Sequence, residues 1–451
     1  MSAARAFLLA AALLALPAAA FARGYTMHTL PLVAESGLHD GGAEARVAWT
    51  TRVRAPGAAM MRVAFAEADL GRGSWLTIRA LKDGAEQRLD AKSLVDWGRT
   101  SAFFNGEEAE VSLHVAPGDD DVYVRLAGVL GSDRPTIETQ CGATDDRVAD
   151  NDNRVARILP VGCTAWRIGN GAFLTAGHCA DLDPDQGGPL TPDGVLDFTA
   201  STVIEFNVPL SDASGNTVAA APQDQYPVVL GSVQWSFGGN TAPLGNDWCV
   251  FRVSANSNTG LLPHQVYGLP FRIMRELPST GATLRVSGFG TDTGTANQTN
   301  QTATGPFTSE TAGTGTVRLD YTVDTEGGNS GSPIIWEQNQ FCMGIHTNGG
   351  CDTAGNGQNS GTSFELDALE NAINAVPGPN TVYVDAGHTI VIQQEGTLMR
   401  PIWTLGGGIS TVTTGGRISV YAGNYTLPVG TVLSMAMTIE APVGTVSVTT
   451  P

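Results

Sequence analysis

The stretch "DTEGGNSGSP", Asp324–Pro333, sets Ser330 among glycines, with a second serine and a proline directly after it. Gly328 and Gly331 let the backbone turn tightly around that serine. Gly, Asn and Ser are also ordinary turn composition, so this string alone does not separate a reactive nucleophile from the tip of a turn. The reading of Ser330 depends on what else the chain supplies.

Two stretches upstream decide it. In "CTAWRIGNGAFLTAGHC", Cys163–Cys179, His178 follows a run of small and apolar residues and directly precedes a cysteine. In "GNDWCVFRV", Gly245–Val253, Asp247 opens an apolar strand. A serine hydroxyl is a weak nucleophile until a base takes its proton, and imidazole is the base available near neutral pH. A carboxylate on the far ring nitrogen fixes the tautomer and stabilises the imidazolium. The backbone N–H groups of Gly328 and Ser330 then converge on a developing oxyanion, where one such donor is worth about 3–4 kcal/mol. His178, Asp247 and Ser330 are therefore the expected catalytic residues, with Gly328 and Ser330 as the oxyanion hole.

The rest of the chain bounds this reading. Its 451 residues allow roughly two to four domains of ordinary size. Arg5, the apolar run Ala6–Leu16, Pro17 and the small-residue site Ala20–Ala22 have the order of an export leader, so residues 1–22 are expected to be removed. No later segment is apolar for long enough to span a bilayer. A secreted chain, extracellular or periplasmic, is the expected location. Six cysteines in an exported chain predict three disulfides. A formal charge of −19 with no Lys/Arg-rich stretch argues against nucleic acid as a partner.

Along the chain, residues 43–130 alternate apolar and polar positions between turn signals, as at Met61, Val63 and Phe65, and at Val111, Leu113 and Val115, which predicts a β-sandwich. His114 has no second ligand type near it and reads as a surface or packed histidine. Gly131–Arg154 reads as a linker or entry strand, and Gly290–Gly315 as a low-complexity Gly/Thr/Asn loop that builds no core by itself. Leu366, Leu369 and Ile373 have helical spacing within Phe364–Val376, and Pro377 ends that helix. Thr381–Pro451 is again rich in short strands and resembles the opening coil of a parallel β-helix. The expected domains are an N-terminal β-sandwich over 23–135 (pro-segment or accessory domain), a central domain over 136–376 and a small β-rich module over 377–451.

"CTAWRIGNGAFLTAGHC", "NDWCVFRV" and "GGNSGSP" resemble the three motif regions of the chymotrypsin-fold serine endopeptidases, and the chain order His, Asp, Ser is that of this fold. The resemblance runs from about Cys141 to Val376. It implies an all-β fold, a chymotrypsin-like double β-barrel with a C-terminal helix, hydrolysing peptide bonds through an acyl-enzyme. It also implies protein or peptide substrates, no cofactor and no metal. The family's bond between the cysteine after the histidine and one upstream implies Cys163–Cys179; Cys141, Cys249, Cys342 and Cys351 leave three pairings open, of which Cys141–Cys351 resembles a bond of lysine-specific bacterial relatives. "GATDDRVAD", "TEGGNSGSP" and "GIHTNGG" are similar to the bacterial glutamyl endopeptidase branch, which implies substrate contacts from Thr325 and His346, with Thr347 and Gly349 beside them. Asp324 stands where trypsin-like members hold the aspartate that selects Lys or Arg, so a Lys/Arg preference is the alternative. A catalytically inactive secreted binding or adhesion protein is the reading from another class. No IVGG-type stretch appears, so trypsin-type activation is not expected, and Asn329 stands where the acid that would receive the new amine would be.

Overall fold

Alternation in the N-terminal region resolves into two four-stranded antiparallel sheets. The computed structural model describes residues 27–132, 140–181, 195–199, 202–237, 243–378, 380–390 and 393–450, so the expected leader lies outside the described residues. One sheet is built on strands Met60–Asp69 and Tyr123–Ser132, the other on Arg46–Arg54, Trp75–Ala80 and Glu108–Val115. Ala109, Val111, Leu113 and Val115 turn inward and are buried, as a period of two requires when one face covers a core. His114 turns outward, stacked on Trp75 at 4.8 Å with Nε2 3.0 Å from Thr77 Oγ1.

This core does not end with the sandwich. Leu159, Val203 and Ala219 belong to it, although they come from the region that follows. The Gln225 amide, fully buried, accepts from the Phe103 N–H and donates to the Phe103 carbonyl, both at 2.8 Å.

Among the described residues the central region forms two seven-stranded sheets. The first includes Val155–Leu159, Cys163–Arg167, Phe173–Thr175 and Trp248–Phe251, and encloses Ile158, Ala165, Phe173 and Phe251. In the second, strand Thr283–Gly288 pairs with both Pro333–Trp336 and Gln301–Gly313, which closes it into a barrel around Leu284, Val286, Leu319 and Ile334. Between the sheets lie Trp166, Val250, Phe271 and Ile345, and against them the helix Asp367–Ala375 sets Leu369, Ala372 and Ile373. Those three share one helical face, so the helix forms by covering this seam.

Gly290–Gly315 departs from the expected loop. Gln301–Gly313 is a strand of 13 residues, paired with Thr283–Gly288, Thr316–Tyr321 and Val148–Ala149. Its threonines are β-branched and suit extended backbone. Its inward positions, Gln301, Ala303 and Phe307, meet a core supplied by the neighbouring strands, so low hydrophobicity in the segment did not preclude a strand.

After Pro377 the pairing becomes parallel. Thr381–Val384, Arg417–Val420 and Thr438–Glu440 form one sheet, and Gly423–Thr426 pairs with Val446–Thr449. Successive parallel strands at equivalent places in consecutive turns of chain are the stacking of a β-helix-like coil. The module is fastened to the central region by the Arg272–Asp385 ion pair at 2.7 Å and by Tyr421 Oη donating to Pro270 O at 2.8 Å.

The cysteines correct one expectation. Cys163–Cys179 and Cys141–Cys351 are disulfides, whereas Cys249 and Cys342 are free buried thiols, so there are two bonds and not three. Cys249 lies in the first sheet and Cys342 in the second, each within its own strand. Burial raises both thiols well above their usual range, which keeps them protonated and inert.

Candidate active site

His178 lies on a single 3-10 turn, Gly177–Cys179, that follows strand Phe173–Thr175. The turn is pressed against the next strand so closely that a Cβ on Gly177 would come 2.0 Å from Ser236 O, which restricts the position to glycine. The Cys163–Cys179 bond ties the turn to strand Cys163–Arg167. In the chain-entropy model a loop of this size contributes about 3 kcal/mol.

Asp247 enters strand Trp248–Phe251, which pairs with Phe173–Thr175 through Thr175 and Cys249. Neighbouring strands therefore bring the imidazole and the carboxylate together. Asp247 Oδ1 accepts from the His178 backbone N–H at 2.9 Å, and Oδ2 lies 2.7 Å from Nδ1. An ionised carboxylate only accepts, so the proton sits on Nδ1 and leaves Nε2 as a base. Thr362 holds the Asp247 backbone in turn, accepting from its N–H at 3.0 Å and donating to its carbonyl at 2.9 Å.

Ser330 comes from the second barrel, just before strand Pro333–Trp336. Its turn is clamped to the strand that carries Cys163. Thr164 N–H donates to Ser330 O at 2.9 Å, Thr164 Oγ1 to Gly328 O at 2.9 Å, and Trp166 Nε1 to Gly331 O at 3.0 Å. Gly328 and Gly331 have φ of 105° and 90°, a region side chains rarely adopt. The Gly328 and Ser330 N–H groups donate to no acceptor among the described residues, as an anion-binding pair of amides requires. Asn329, in place of an acid, accepts from Glu326 N at 3.2 Å and so braces its own turn.

His346 lies on strand Phe341–Asn348 beside this turn, its carbonyl accepting from Gly331 N–H at 2.8 Å. Tyr321 Oη lies 2.6 Å from His346 Nδ1. Burial pulls the His346 pKa down to about 3, and the charge of the nearby His178 adds to that shift. The imidazole is therefore neutral near pH 7 when nothing anionic faces it. The unfolded chain protonates this ring near pH 6.5 and the folded chain only near 3, so between those values the unfolded state binds more protons. Stability is expected to fall on acidification across that interval, and His346→Gln to flatten that part of a melting-temperature profile.

Thr325, fully buried, accepts at Oγ1 from Asn359 Nδ2 at 2.9 Å. Thr347 is buried with Oγ1 donating to Asn348 Oδ1, and Gly349 is half-buried at the strand's end. Asp324 is buried and both of its carboxylate oxygens are engaged. Its Oδ1 accepts from Cys141 N–H at 2.8 Å and its Oδ2 from Asp146 N–H at 2.7 Å, so both oxygens fasten the 141–146 segment. Sequence reasoning missed Asn359 as well. Its amide donates to Val323 O and accepts from Gly350 and Cys351 N–H, joining the Thr325 wall to the Cys141–Cys351 disulfide. Thr164, Trp166 and Tyr321 were also missed, although Thr164 and Trp166 stand inside the quoted His178 stretch. Cys163, His178 and Cys179 bring ligand-type atoms within 4.8 Å of one another, but the two sulfurs are joined and offer no thiolate to a metal.

A base with a fixed tautomer, a serine on a clamped turn and two unengaged amides together equip the site for nucleophilic attack on a carbonyl. Residues 153–365 match the family model named Trypsin. A glutamyl endopeptidase of Bacillus licheniformis is 26% identical over 269 residues, spanning 55% of this chain and 69% of that protein. Among solved structures, a Glu endopeptidase in complex with MPD is 21% identical, with a TM-score of 0.35 over 51% of this chain and 97% of that one. A thermostable serine protease from an extremophilic microorganism is 16% identical, with a TM-score of 0.34 over 47% of this chain and 92% of that one. Residues 153–365 are similar to the trypsin family, and the chain is a serine endopeptidase.

Proposed function

We propose that this chain is an exported endopeptidase that cleaves after glutamate, with Ser330 as nucleophile, His178 as base and then acid, and Asp247 as the residue that orients His178. Ser330 Oγ attacks the scissile carbonyl and its proton passes to His178 Nε2. The Gly328 and Ser330 amides hold the oxyanion while the carbonyl carbon is tetrahedral. His178 then gives the proton to the leaving amine, and water repeats the sequence on the acyl-enzyme, releasing the new carboxylate and restoring Ser330. The observation that carries this reading is the double grip of Asp247 on His178, at the backbone N–H and at Nδ1.

The preference for glutamate rests on His346 and Thr325. With Nδ1 facing Tyr321, the other ring nitrogen of His346 is left to meet a substrate carboxylate, which would draw a proton onto the ring. The Bacillus licheniformis relative is named a glutamyl endopeptidase, in keeping with this reading. Lys/Arg selection through Asp324 is disfavoured because both its oxygens are already engaged by backbone amides. The test is a peptide library digested by the full chain beside Ser330→Ala, with every cut mapped by mass spectrometry. Cuts after Glu are expected from the parent protein alone, whereas cuts after Lys or Arg would remove His346 from its role.

Export is supported by the two disulfides, which persist in oxidising surroundings. The N-terminal β-sandwich we read as a lasting accessory domain, because its core takes in Leu159, Val203 and Ala219 and its Phe103 backbone is paired with Gln225. Cutting the chain between the sandwich and the central region is expected to leave the two pieces eluting together in size exclusion under native conditions. Release of the N-terminal piece with a gain of activity would instead mark it as a pro-segment.

A further inference from the structure

A cleft of about 210 Å³ lies where the first sheet meets the C-terminal module, and it shares no residue with the Ser330 site. Arg167 reaches it from strand Cys163–Arg167, Arg252 from just beyond strand Trp248–Phe251, and His264 from the short turn Pro263–Val266. Pro442 closes it from the C-terminal module. Among the described residues no Asp or Glu lines this cleft, in a chain with 44 acidic residues against 25 basic ones.

Arg167 differs from two other buried arginines of the central region. Arg147 pairs with Asp145, and Arg157 with Glu205. Arg167 is 3% exposed yet makes no ion pair among the described residues. Its Nη atoms donate to the carbonyls of Gly268, Asn153 and Tyr267 at 2.9 to 3.0 Å, and Nε is buried with no hydrogen-bond partner. Its other contacts are the faces of the Phe206 and Tyr267 rings, so this charge, removed from water, has no carboxylate counter-ion among the described residues. Burial pulls the guanidinium down to about 10, and His264 is lowered by burial first and by the Arg167 charge second. The side chains of Arg252 and His264 make no hydrogen bond or ion pair among the described residues, so their donors are available. Val253, Leu262 and Pro442 give the wall an apolar part, and Asn170 also lines the cleft.

We propose that this cleft binds a compact organic carboxylate, its oxygens held by Arg167, Arg252 and His264 and its apolar body against Val253, Leu262 and Pro442. A guanidinium presents paired donors that match a carboxylate, and a desolvated, charge-assisted contact of this kind is stronger than a neutral one. An inorganic anion would meet the same charge but leave the apolar wall uncovered. This assignment does not depend on the cleavage preference proposed for the catalytic site.

The probes are isocaproate, isocaproamide and inorganic phosphate, titrated calorimetrically into the full chain. Isocaproate is expected to bind saturably, with the uncharged amide at least about tenfold weaker. Arg252→Ala and His264→Leu, both at solvent-accessible positions, are each expected to weaken it by about tenfold while circular dichroism and peptidase activity stay unchanged. The absence of saturable heat with folded protein would overturn the proposal, as would equal binding of the amide or binding that survives the double substitution. Phosphate binding more tightly than isocaproate would overturn the carboxylate assignment. Binding lost in His346→Ala but kept in Arg252→Ala would place the ligand in the catalytic site and also overturn it.

Discussion

Asp247→Asn is expected to lower kcat by about 10⁴-fold while leaving the fold and KM nearly unchanged. The amide is almost isosteric, so the contacts at 2.7 and 2.9 Å to His178 can persist. An amide group that donates to Nδ1, however, drives the ring proton to Nε2 and abolishes the base. Ser330→Ala removes the nucleophile itself and is expected to cost about 10⁶-fold, leaving only what the oxyanion amides and binding supply. Because the two groups act as one unit, the double variant should be little worse than Ser330→Ala alone. Steady-state kinetics on a Glu-containing peptide measures all three. Equal losses in Asp247→Asn and in a distant control would show that the carboxylate does not act through the tautomer.

His346→Ala is expected to collapse the preference for Glu over Gln before the cut by about 10²–10³-fold, with cleavage after Gln changed only a few-fold. At about 4 Å and an effective dielectric near 20, a charge pair is worth about 4 kcal/mol, which sets the upper end of that range. The imidazole is neutral when the pocket is empty, its pKa held at about 3 by burial, so part of that energy is used to protonate the ring as the carboxylate enters. Tyr321→Phe removes the partner on Nδ1 at 2.6 Å and is expected to lower the same ratio by about tenfold. The ratio of kcat/KM for matched Glu and Gln peptides reads both effects. A ratio that does not move in either variant would exclude His346 from the pocket.

What the sequence displayed and what it hid follow from the range of the interactions. The motifs around His178, Asp247 and Ser330 are local strings whose glycines, turn residues and chain order are visible without neighbours. The Cys163–Cys179 bond follows from the family resemblance at that separation. The period of two in the N-terminal strands was legible because one face of each sheet meets a core. Contacts between distant segments were not legible. Nothing adjacent to Asn359 indicates that its amide joins Val323, Gly350 and Cys351. The partners of Asp324, the Cys141 and Asp146 amides, lie far away in the chain and were not legible beside it. Gln301–Gly313 read as a loop because its own residues are weakly apolar, while the core it lines is contributed by strands on either side. Cys249 and Cys342 counted towards a third bond only because arithmetic on cysteines ignores which sheet each one occupies.

The central claim is that Ser330 is activated by His178. Its most direct test is labelling of the purified full chain with a fluorophosphonate, followed by mass mapping of the modified peptide in the parent protein, Ser330→Ala and His178→Ala. One equivalent of label on Ser330, absent in Ser330→Ala and nearly absent in His178→Ala although that variant is folded, is the predicted result. Label on another residue, or equal labelling of Ser330 when His178 is replaced, would contradict it.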